Sequence, residues 1–213
     1  MTTPLRSVIR PLAPALAGLT IAAAMTVPSA PRAEAAPADV TLAQLNTMFG
    51  PRVSKNPRVA ANLGELNRQM RASHIDTPQR QAAFLATLVN ESRMDPAAGE
   101  VGNHARYRGR GYIQLTGAWN YQAAGKGLGV NLHGNPGAAS APKNSARIAT
   151  WYWTKARPQS NAAADNFDMG RISRYVGYAA DSREDVERCN DFKRAYKVLS
   201  GKQAPSWTTC HRR

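Results

Sequence analysis

The sequence predicts a mainly helical domain with a small β element in its middle. Two observations carry this prediction. Apolar residues recur at helical spacing in segments on both sides of the centre, and a glycine-containing stretch between them changes to alternating, β-favouring residues. The 213 residues contain no internal repeat or heptad pattern, and their number allows one domain of ordinary size.

Two helices are predicted in the first part of the domain. Thr41 is a capping residue for a helix that runs to Phe49. The second helix is indicated by apolar residues spaced four, three and four positions apart, which share one helical face: Val59, Leu63, Leu66 and Met70.

The next helix has clear signals at both ends. Thr77-Pro78 places a capping hydroxyl before a proline at the first helical position, and Asp95-Pro96 ends the helix after about Met94. The sequence RGRGYIQLTG then contains two glycines and the alternating residues 112–116, which predict a short strand or hairpin.

Helices resume in the C-terminal part. One is predicted around 143–156, with a shared face formed by Ile148, Trp151, Tyr152 and Lys155. The last begins at Ser182, with Asp185 three residues on as a variant of the capping box. Its predicted buried side consists of Val186, Cys189, Phe192, Tyr196 and Leu199.

Residues 1–35 have the features of a secretory signal peptide. Two arginines precede a short apolar run, Leu12–Val27, and Ala33-Glu34-Ala35 fits the small-x-small cleavage rule. Since a membrane-spanning helix needs about twenty apolar residues, a retained anchor is the weaker alternative. We therefore predict cleavage after Ala35, an exported protein and no stable membrane insertion.

The remaining chain divides into a short linker, 36–40, and a single domain, 41–213. Both cysteines, Cys189 and Cys210, lie in the exported part, which suggests a disulfide that closes the C-terminal segment; two free thiols are the alternative.

The net charge is strongly positive, +14 for the whole chain and +12 without residues 1–35. Such a charge favours polyanionic partners: nucleic acid, an anionic membrane or an anionic cell wall. The alternative is that scattered arginines and lysines only keep a secreted protein soluble. Since the arginines are spread along the chain, with one cluster at 106–110, we expect attraction to a cell wall and no nucleic-acid partner.

Two glutamates form a candidate acid/base pair. Glu91 follows Phe84 and Leu88 on one helical face, so burial is expected to raise the pKa of its carboxyl, as a general acid requires. Glu100 lies nine residues later on an irregular loop, in a wetter setting. One apolar and one hydrated carboxyl group are what glycosidic bond cleavage needs. The alternative is that Glu91 is a solvated glutamate at a helix end.

The sequences ESRMDPAAGE and YRGRGYIQLTGAWNYQAAG resemble the catalytic core of glycoside hydrolase family 19, which contains chitinases and lysozyme-like endolysins. ERCNDFKRAYKVL resembles the family's closing segment, so the resemblance covers most of the chain after residue 40. It implies a lysozyme-like α+β fold in which two helical lobes and a small β-hairpin flank a substrate cleft.

The resemblance also implies residue roles. Glu91 matches the general acid, Glu100 the general base, and Thr116 the hydroxyl that helps the base to hold the attacking water. Cleft positions that would bind the sugar are matched by Tyr107, Gln114, Asn120 and Arg188, and Trp119 beside them is a candidate for stacking on a sugar ring. The family inverts anomeric configuration, which needs carboxyl groups roughly 6.5–9.5 Å apart, and no metal or organic cofactor is implied.

Three positions depart from the family pattern. Asn90 stands where a histidine usually precedes the acid, Gly177 where a sugar-contacting asparagine is expected, and Tyr112 where proline is common. These differences weaken the expectation that crystalline chitin is the substrate.

The leading hypothesis is an exported endo-glycosidase that cleaves β-1,4 bonds in chitin or peptidoglycan and acts as a monomer. One alternative is a non-catalytic wall-binding protein, and another is a secreted nucleic-acid-binding or membrane-active protein. The four histidines have no partner at metal-ligand spacing, so no metal site is predicted.

Overall fold

Helices make up most of the chain that the computed structural model describes, residues 38–177 and 182–212. All of these fall within one unit, Ala35–Arg213. The signal peptide predicted over 1–35 lies outside the described residues, so cleavage after Ala35 stays a prediction. None of the helices in the described part is both long enough and apolar enough to cross a membrane.

The first four helices are α1 (Leu42–Phe49), α2 (Pro51–Ser54), α3 (Pro57–Ala72) and α4 (Pro78–Ser92). Thr41 forms a capping box with Gln44 at the start of α1, and the Thr77 hydroxyl accepts a hydrogen bond from the Arg80 amide at the start of α4. Both predicted helix starts are therefore confirmed.

The apolar faces predicted for α3 and α4 are buried, including Met70 on α3 and Phe84 on α4. The α4 helix ends at Ser92, two residues earlier than predicted, because Arg93 adopts the left-handed conformation, with φ of 54°.

The β element is smaller than the predicted strand over 112–116. Isolated antiparallel bridges pair Arg110 with Gly99 and with Leu115. Within residues 38–177 and 182–212, neither bridge continues into a longer β ladder. Gln114 has a φ of +49°, which turns the chain where a strand would have continued. The mainly helical fold class is confirmed, with a β element of two bridges that share Arg110.

The second part contains α5 (Ala118–Leu128), a 3₁₀ turn (Pro136–Ser140), α6 (Pro142–Trp151), a π-helical segment (Tyr152–Ala156), α7 (Ser160–Asp165), α8 (Met169–Val176) and α9 (Ser182–Ser200). The single helix predicted around 143–156 is thus divided. Ile148 and Tyr152 of its predicted face are buried, but Lys155 is exposed because the π turn changes the helical register.

The last helix, α9, packs chiefly against α4 and also against α1 and α8. Cys189, Phe192 and Tyr196 are buried as predicted, whereas Val186 is 38% exposed. The prediction for Val186 is therefore wrong. Near the start of α9 the buried positions belong to Asp185, which binds Arg212, and Arg188, which binds Glu91.

The predicted disulfide is present. Cys189 on α9 bonds to Cys210 in the C-terminal segment, with 5.4 Å between their Cα atoms. A crosslink that closes a loop of this length stabilises a fold by roughly 3 kcal/mol. The bond holds the C-terminal segment beside α8 and α9, and Gly170 reinforces it by donating its amide hydrogen to the Thr209 carbonyl.

Candidate active site

Glu91 lies in the last turn of α4, on the helix face that carries Phe84 and Leu88. Those two side chains are fully buried, and the Glu91 side chain is only 18% exposed. The helical spacing therefore brings the carboxyl group to the edge of the core, as predicted.

Arg188 of α9 binds the Glu91 carboxyl group. Its Nη2 donates a hydrogen bond to Glu91 Oε1 at 2.9 Å, and the Arg188 side chain is 1% exposed. Burial raises the pKa of Glu91 above its ordinary value, and the Arg188 charge lowers it by a smaller amount. The net effect keeps Glu91 protonated at a higher pH than an exposed glutamate.

Glu100 is held by a loop instead of a helix. Its backbone amide donates to the Gly109 carbonyl at 2.9 Å, and its exposed carboxylate accepts hydrogen bonds at Oε2 from the Gly109 amide (3.0 Å) and from Asn103 Nδ2 (2.8 Å). The Gly109 amide is the main cause that lowers the pKa of Glu100, followed by Asn103. Glu100 therefore stays ionised where Glu91 is protonated.

Both glutamates line one cavity of about 540 Å³. It lies between the end of α4, the loop that contains Glu100, the start of α5 and the end of α8. Its other lining residues are Gly109, Ile113, Gln114, Leu115, Thr116, Gly117, Asn120, Tyr152, Val176 and Gly177.

Gly109 lies where the residues on the Glu100 side of this cavity meet. A Cβ atom at this position would lie 2.8 Å from Gln114 Oε1 and 3.2 Å from Thr116 Oγ1, so glycine allows a close approach that other residues would prevent. Since the Gly109 amide also binds Glu100, this one residue brings Thr116 and Glu100 to the same place.

Thr116, predicted to act with Glu100, and two predicted sugar-binding residues, Asn120 and Gln114, line the cavity. Thr116 Oγ1 donates to the Gln114 carbonyl at 2.7 Å, which leaves its lone pairs free to accept a hydrogen bond from water. Asn120 Nδ2 donates to the Thr116 carbonyl at 2.9 Å. Gln114 Nε2 donates to the carbonyls of Gly111 and Ala98, so this amide also fixes the turn.

The structure does not bring Tyr107 or Trp119 to this cavity. The Tyr107 ring stacks on His133 with 5.0 Å between ring centroids, and its hydroxyl donates to the His133 carbonyl. Trp119 is 79% exposed and lines a separate depression on α5 with Lys126. Arg188 binds Glu91 and is absent from the lining residues of the cavity.

Two residues that depart from the family pattern lie next to Glu91. Asn90 Nδ2 donates to Asp191 Oδ2 on α9 at 2.9 Å, so this side chain joins α4 to α9. A Cβ atom at Gly177 would lie 3.5 Å from Glu91 Oε1, an ordinary contact distance. Gly177 has an extended backbone, so a larger residue fits this position and its side chain would contact Glu91.

The sequence predicted no role at the site for Asn103, Gly109, Tyr152 and Asp191, nor for the lining residues Ile113, Leu115, Gly117 and Val176. Gly109 lies in the RGRG stretch, for which the sequence predicts only a short strand or hairpin. Asn103 is three positions after Glu100, a spacing at which two side chains of one loop can form a hydrogen bond. Tyr152 was placed on a helical face but given no role at the site. Asp191 had no signal, because its partner Asn90 is 101 positions away in sequence.

No group of three or more His, Cys, Asp or Glu side chains in the described ranges is arranged to hold a metal ion. The prediction that the site works without a metal stays a prediction.

A family model described as chitinase class I, of glycoside hydrolase family 19, matches residues 77–186. This range contains both glutamates, the loop between them and the start of α9. The match therefore covers the elements that build the cavity.

Two rice proteins (Oryza sativa subsp. japonica) are similar in sequence. Chitinase 11 is 30% identical over 149 residues, and chitinase 8 is 42% identical over 77 residues. These alignments cover 64% and 36% of this chain, and 54% and 28% of the rice proteins. The chain thus spans about half the length of one relative and less of the other.

Among solved structures, chitinase C from Streptomyces griseus HUT6037 has a similar fold, with a TM-score of 0.60. The alignment covers 80% of each chain at 24% sequence identity. This likeness confirms the predicted lysozyme-like fold class.

Proposed function

The chain belongs to glycoside hydrolase family 19, and from that premise we propose that it hydrolyses β-1,4 bonds in a polysaccharide that contains N-acetylglucosamine. The observation that carries this proposal is the opposite setting of two glutamates on one cavity. Burial raises the pKa of Glu91, whereas hydrogen-bond donors lower the pKa of Glu100. A protonated and an ionised carboxyl group at the same pH are the requirement for acid/base glycosidic cleavage.

In the proposed mechanism, Glu91 transfers its proton to the glycosidic oxygen as the bond to the anomeric carbon breaks. Glu100 accepts a proton from a water molecule, whose oxygen forms the new bond to that carbon from the opposite face. The Thr116 hydroxyl accepts a hydrogen bond from the same water. This single displacement inverts the anomeric configuration, and solvent then returns the proton from Glu100 to Glu91.

Arg188 has two effects in this mechanism. Its hydrogen bond fixes the direction of the Glu91 carboxyl, and its charge limits how far burial raises the pKa of Glu91. After Glu91 has given up its proton, the resulting carboxylate faces a buried guanidinium, which stabilises the ionised state.

Two polymers are candidate substrates. Chitin is favoured by the similarity to the two rice chitinases, and peptidoglycan by the positive charge of +12 that the chain carries without residues 1–35. We also propose that the protein is exported and acts as a monomer at a cell wall. N-terminal sequencing of the secreted protein tests the first point, with Ala36 as the expected first residue, and size-exclusion chromatography tests the second.

The experiment that tests the activity compares the protein with its Glu91→Gln variant. Release of reducing ends is measured on soluble glycol chitin, and loss of turbidity on purified peptidoglycan. Glu187→Gln is the matched control, since Glu187 is an exposed glutamate on α9 outside the cavity.

We expect activity on at least one polymer, a loss of roughly 10²–10⁴-fold in Glu91→Gln and no change in the control. Activity that survives in Glu91→Gln would overturn the assignment of the acid. Binding without hydrolysis of either polymer would instead favour a non-catalytic wall-binding protein.

A further inference from the structure

A second cavity, of about 380 Å³, adjoins the one that contains the glutamates. The two share three lining residues: Tyr152, Val176 and Gly177. The second cavity, here called the arginine pocket, is also lined by Arg157, Arg174 and Arg212. No acidic side chain lines it within residues 38–177 and 182–212.

Gly177 connects the arginine pocket to the acid. A Cβ atom at this position would lie 3.5 Å from Glu91 Oε1, and the Gly177 carbonyl accepts a hydrogen bond from Arg212 Nη1 at 2.5 Å. Gly177 therefore lies between the proposed acid, Glu91, and the Arg212 guanidinium of the pocket. A group attached to a sugar at Glu91 has a short path into the pocket.

Arg157 is held in place by neutral groups. Its Nε donates to the Tyr175 carbonyl (2.5 Å), and its Nη2 donates to the Tyr152 hydroxyl (2.9 Å). The guanidinium also lies 4.8 Å from the centre of the Tyr152 ring. Its Nη1 donates to the Ala156 carbonyl (2.9 Å). These contacts position Arg157 without neutralising its charge, and one hydrogen on each Nη atom remains to donate to a carboxylate.

Arg212 has a partly unsatisfied guanidinium. Its Nε donates to both carboxylate oxygens of Asp185 at 2.9 Å, which compensates the charge. Its Nη2 is buried and has no hydrogen-bond partner among the described residues. A buried donor without a partner is costly, so an oxygen atom of a ligand would be stabilising here.

We propose that the arginine pocket binds a carboxylate that the polysaccharide carries, so that the preferred substrate is an acidic N-acetylated glycan and not neutral chitin. This inference rests on the proposed function and names the substrate class of the same site. The carboxylate is either an acidic substituent on the sugar ring or part of a peptide attached to it. Both present the same group to the arginines.

The test compares two soluble polymers of matched length: glycol chitin, which is neutral, and carboxymethyl chitin, which carries carboxylates. The Arg174→Gln variant removes a charge from an exposed position on α8, and a melting curve beside the parent checks its folding. Arg171→Gln is the matched control, because Arg171 is an exposed arginine on the same helix outside the pocket. Arg157→Gln is a second variant, provided that its circular dichroism matches the parent.

The measured quantity is the ratio of kcat/KM on carboxymethyl chitin to kcat/KM on glycol chitin, at physiological ionic strength. We expect a ratio above one for the parent, a roughly tenfold lower ratio for Arg174→Gln and an unchanged ratio for Arg171→Gln. An equal decrease in both variants would show diffuse charge attraction and overturn the proposal. A parent ratio of one or less would also overturn it.

Binding separates this inference from the proposed function. Dissociation constants for both polymers are measured in the Glu91→Gln background, where turnover is not needed. If neither polymer is hydrolysed but the binding preference exists and is lost in Arg174→Gln, the pocket stands and the hydrolase proposal fails. Loss of hydrolysis and of preference together overturns both.

Peptidoglycan before and after enzymatic removal of its peptides distinguishes the two sources of the carboxylate. An effect of Arg174→Gln that persists after removal assigns the pocket to the acid on the sugar ring. An effect that disappears assigns it to the peptide.

Discussion

Glu91 and Glu100 line the same cavity, but the chain holds them in opposite ways. Glu91 is on a helix face whose other side chains are buried, and a buried arginine of another helix binds its carboxyl group. Glu100 is exposed on a loop, where a backbone amide and an asparagine donate to it. One region controls a carboxyl group by removing water, and the other by supplying donors.

The difference shows how one chain shifts the carboxyl pKa values of two glutamates in opposite directions. Burial disfavours the ionised form, so the packing of α4 against α9 raises the pKa of Glu91. Hydrogen-bond donors favour the ionised form and lower the pKa of Glu100. The pH–rate profile should therefore fall at low pH as Glu100 is protonated and at high pH as Glu91 loses its proton.

The largest expected effect comes from removing the base. Glu100→Gln should lower kcat by roughly 10²–10⁴-fold, because the amide cannot accept the proton of the attacking water. Since Glu100 is exposed, the thermal midpoint should change little. Reducing-end release on glycol chitin and a melting curve measure both quantities. Retained activity would mean that another group is the base.

Arg188→Met tests the acid side. It leaves Glu91 without its buried partner, and loss of one member of a buried pair costs about 3 kcal/mol of unfolding free energy. Because Arg188 lowers the pKa of Glu91, its removal should raise this pKa further and move the alkaline limb of the profile to higher pH.

The sign of the stability effect follows from the same shift. A group whose pKa is raised in the folded state loses stabilising free energy as pH rises, so Arg188→Met should be more destabilised at pH 7 than near pH 4. Urea unfolding at both pH values measures this. Lys193→Met, which removes an exposed charge from the same helix, is the control. An alkaline limb that stays in place would contradict the role of Arg188.

Asp95→Asn tests what holds the Glu100 loop to the end of α4. Arg58 Nε donates to both Asp95 oxygens, and the Ala97 amide donates to Oδ1 at 2.9 Å. The substitution should cost about 2 kcal/mol, because hydrogen bonds to a charged group are stronger than neutral ones. Guanidinium unfolding measures the cost, and Asp39→Asn at an exposed pair is the control.

The pH dependence gives a second readout. Arg58 is the main cause that lowers the pKa of Asp95 in the folded state. Its stabilising contribution is therefore present above the ordinary carboxyl pKa and is lost as pH falls. Asp95→Asn should lose less stability than the parent protein when pH is lowered below 4. A parallel loss in both would contradict this account.

The sequence was most informative where local rules decide the structure. Caps at Thr41 and Thr77 and the apolar spacing before Glu91 each depend on residues a few positions apart. The buried setting of Glu91 was therefore predicted correctly. The family resemblance predicted Thr116 and Asn120 near the site, and both line the cavity.

The rest of the fold and the site depends on contacts between residues far apart in sequence, which no local pattern predicts. Val186 follows the helical spacing but is exposed. The buried positions beside it on α9 are occupied by Arg188, which binds Glu91, and by Asp185, which binds Arg212. The alternating residues predicted a strand around Gln114, but a hydrogen bond from its side-chain amide to the Gly111 carbonyl stabilises a turn there. The arginine pocket joins residues from the π-helical segment, α8 and the C-terminal segment, and no single stretch of sequence predicts it.

The smallest expected effect is on the base side, at Asn103. Its Nδ2 donates to Glu100, and its Oδ1 accepts from the Ala105 amide at 2.9 Å, so alanine would remove a turn contact as well. Asn103→Asp retains the acceptor, removes the donor and adds a negative charge.

Both changes in Asn103→Asp favour protonation of Glu100, so the pKa of Glu100 should rise toward its ordinary value. The acid limb of the profile should move to higher pH, while the alkaline limb stays in place because Glu91 is held by α9 and not by this loop. The rate near neutral pH should fall by no more than a few-fold, since the Gly109 amide still binds Glu100. The measurement is kcat/KM on glycol chitin across pH, with the exposed Asn166→Asp as control. If the alkaline limb moved instead, the acid and base assignments would have to be exchanged.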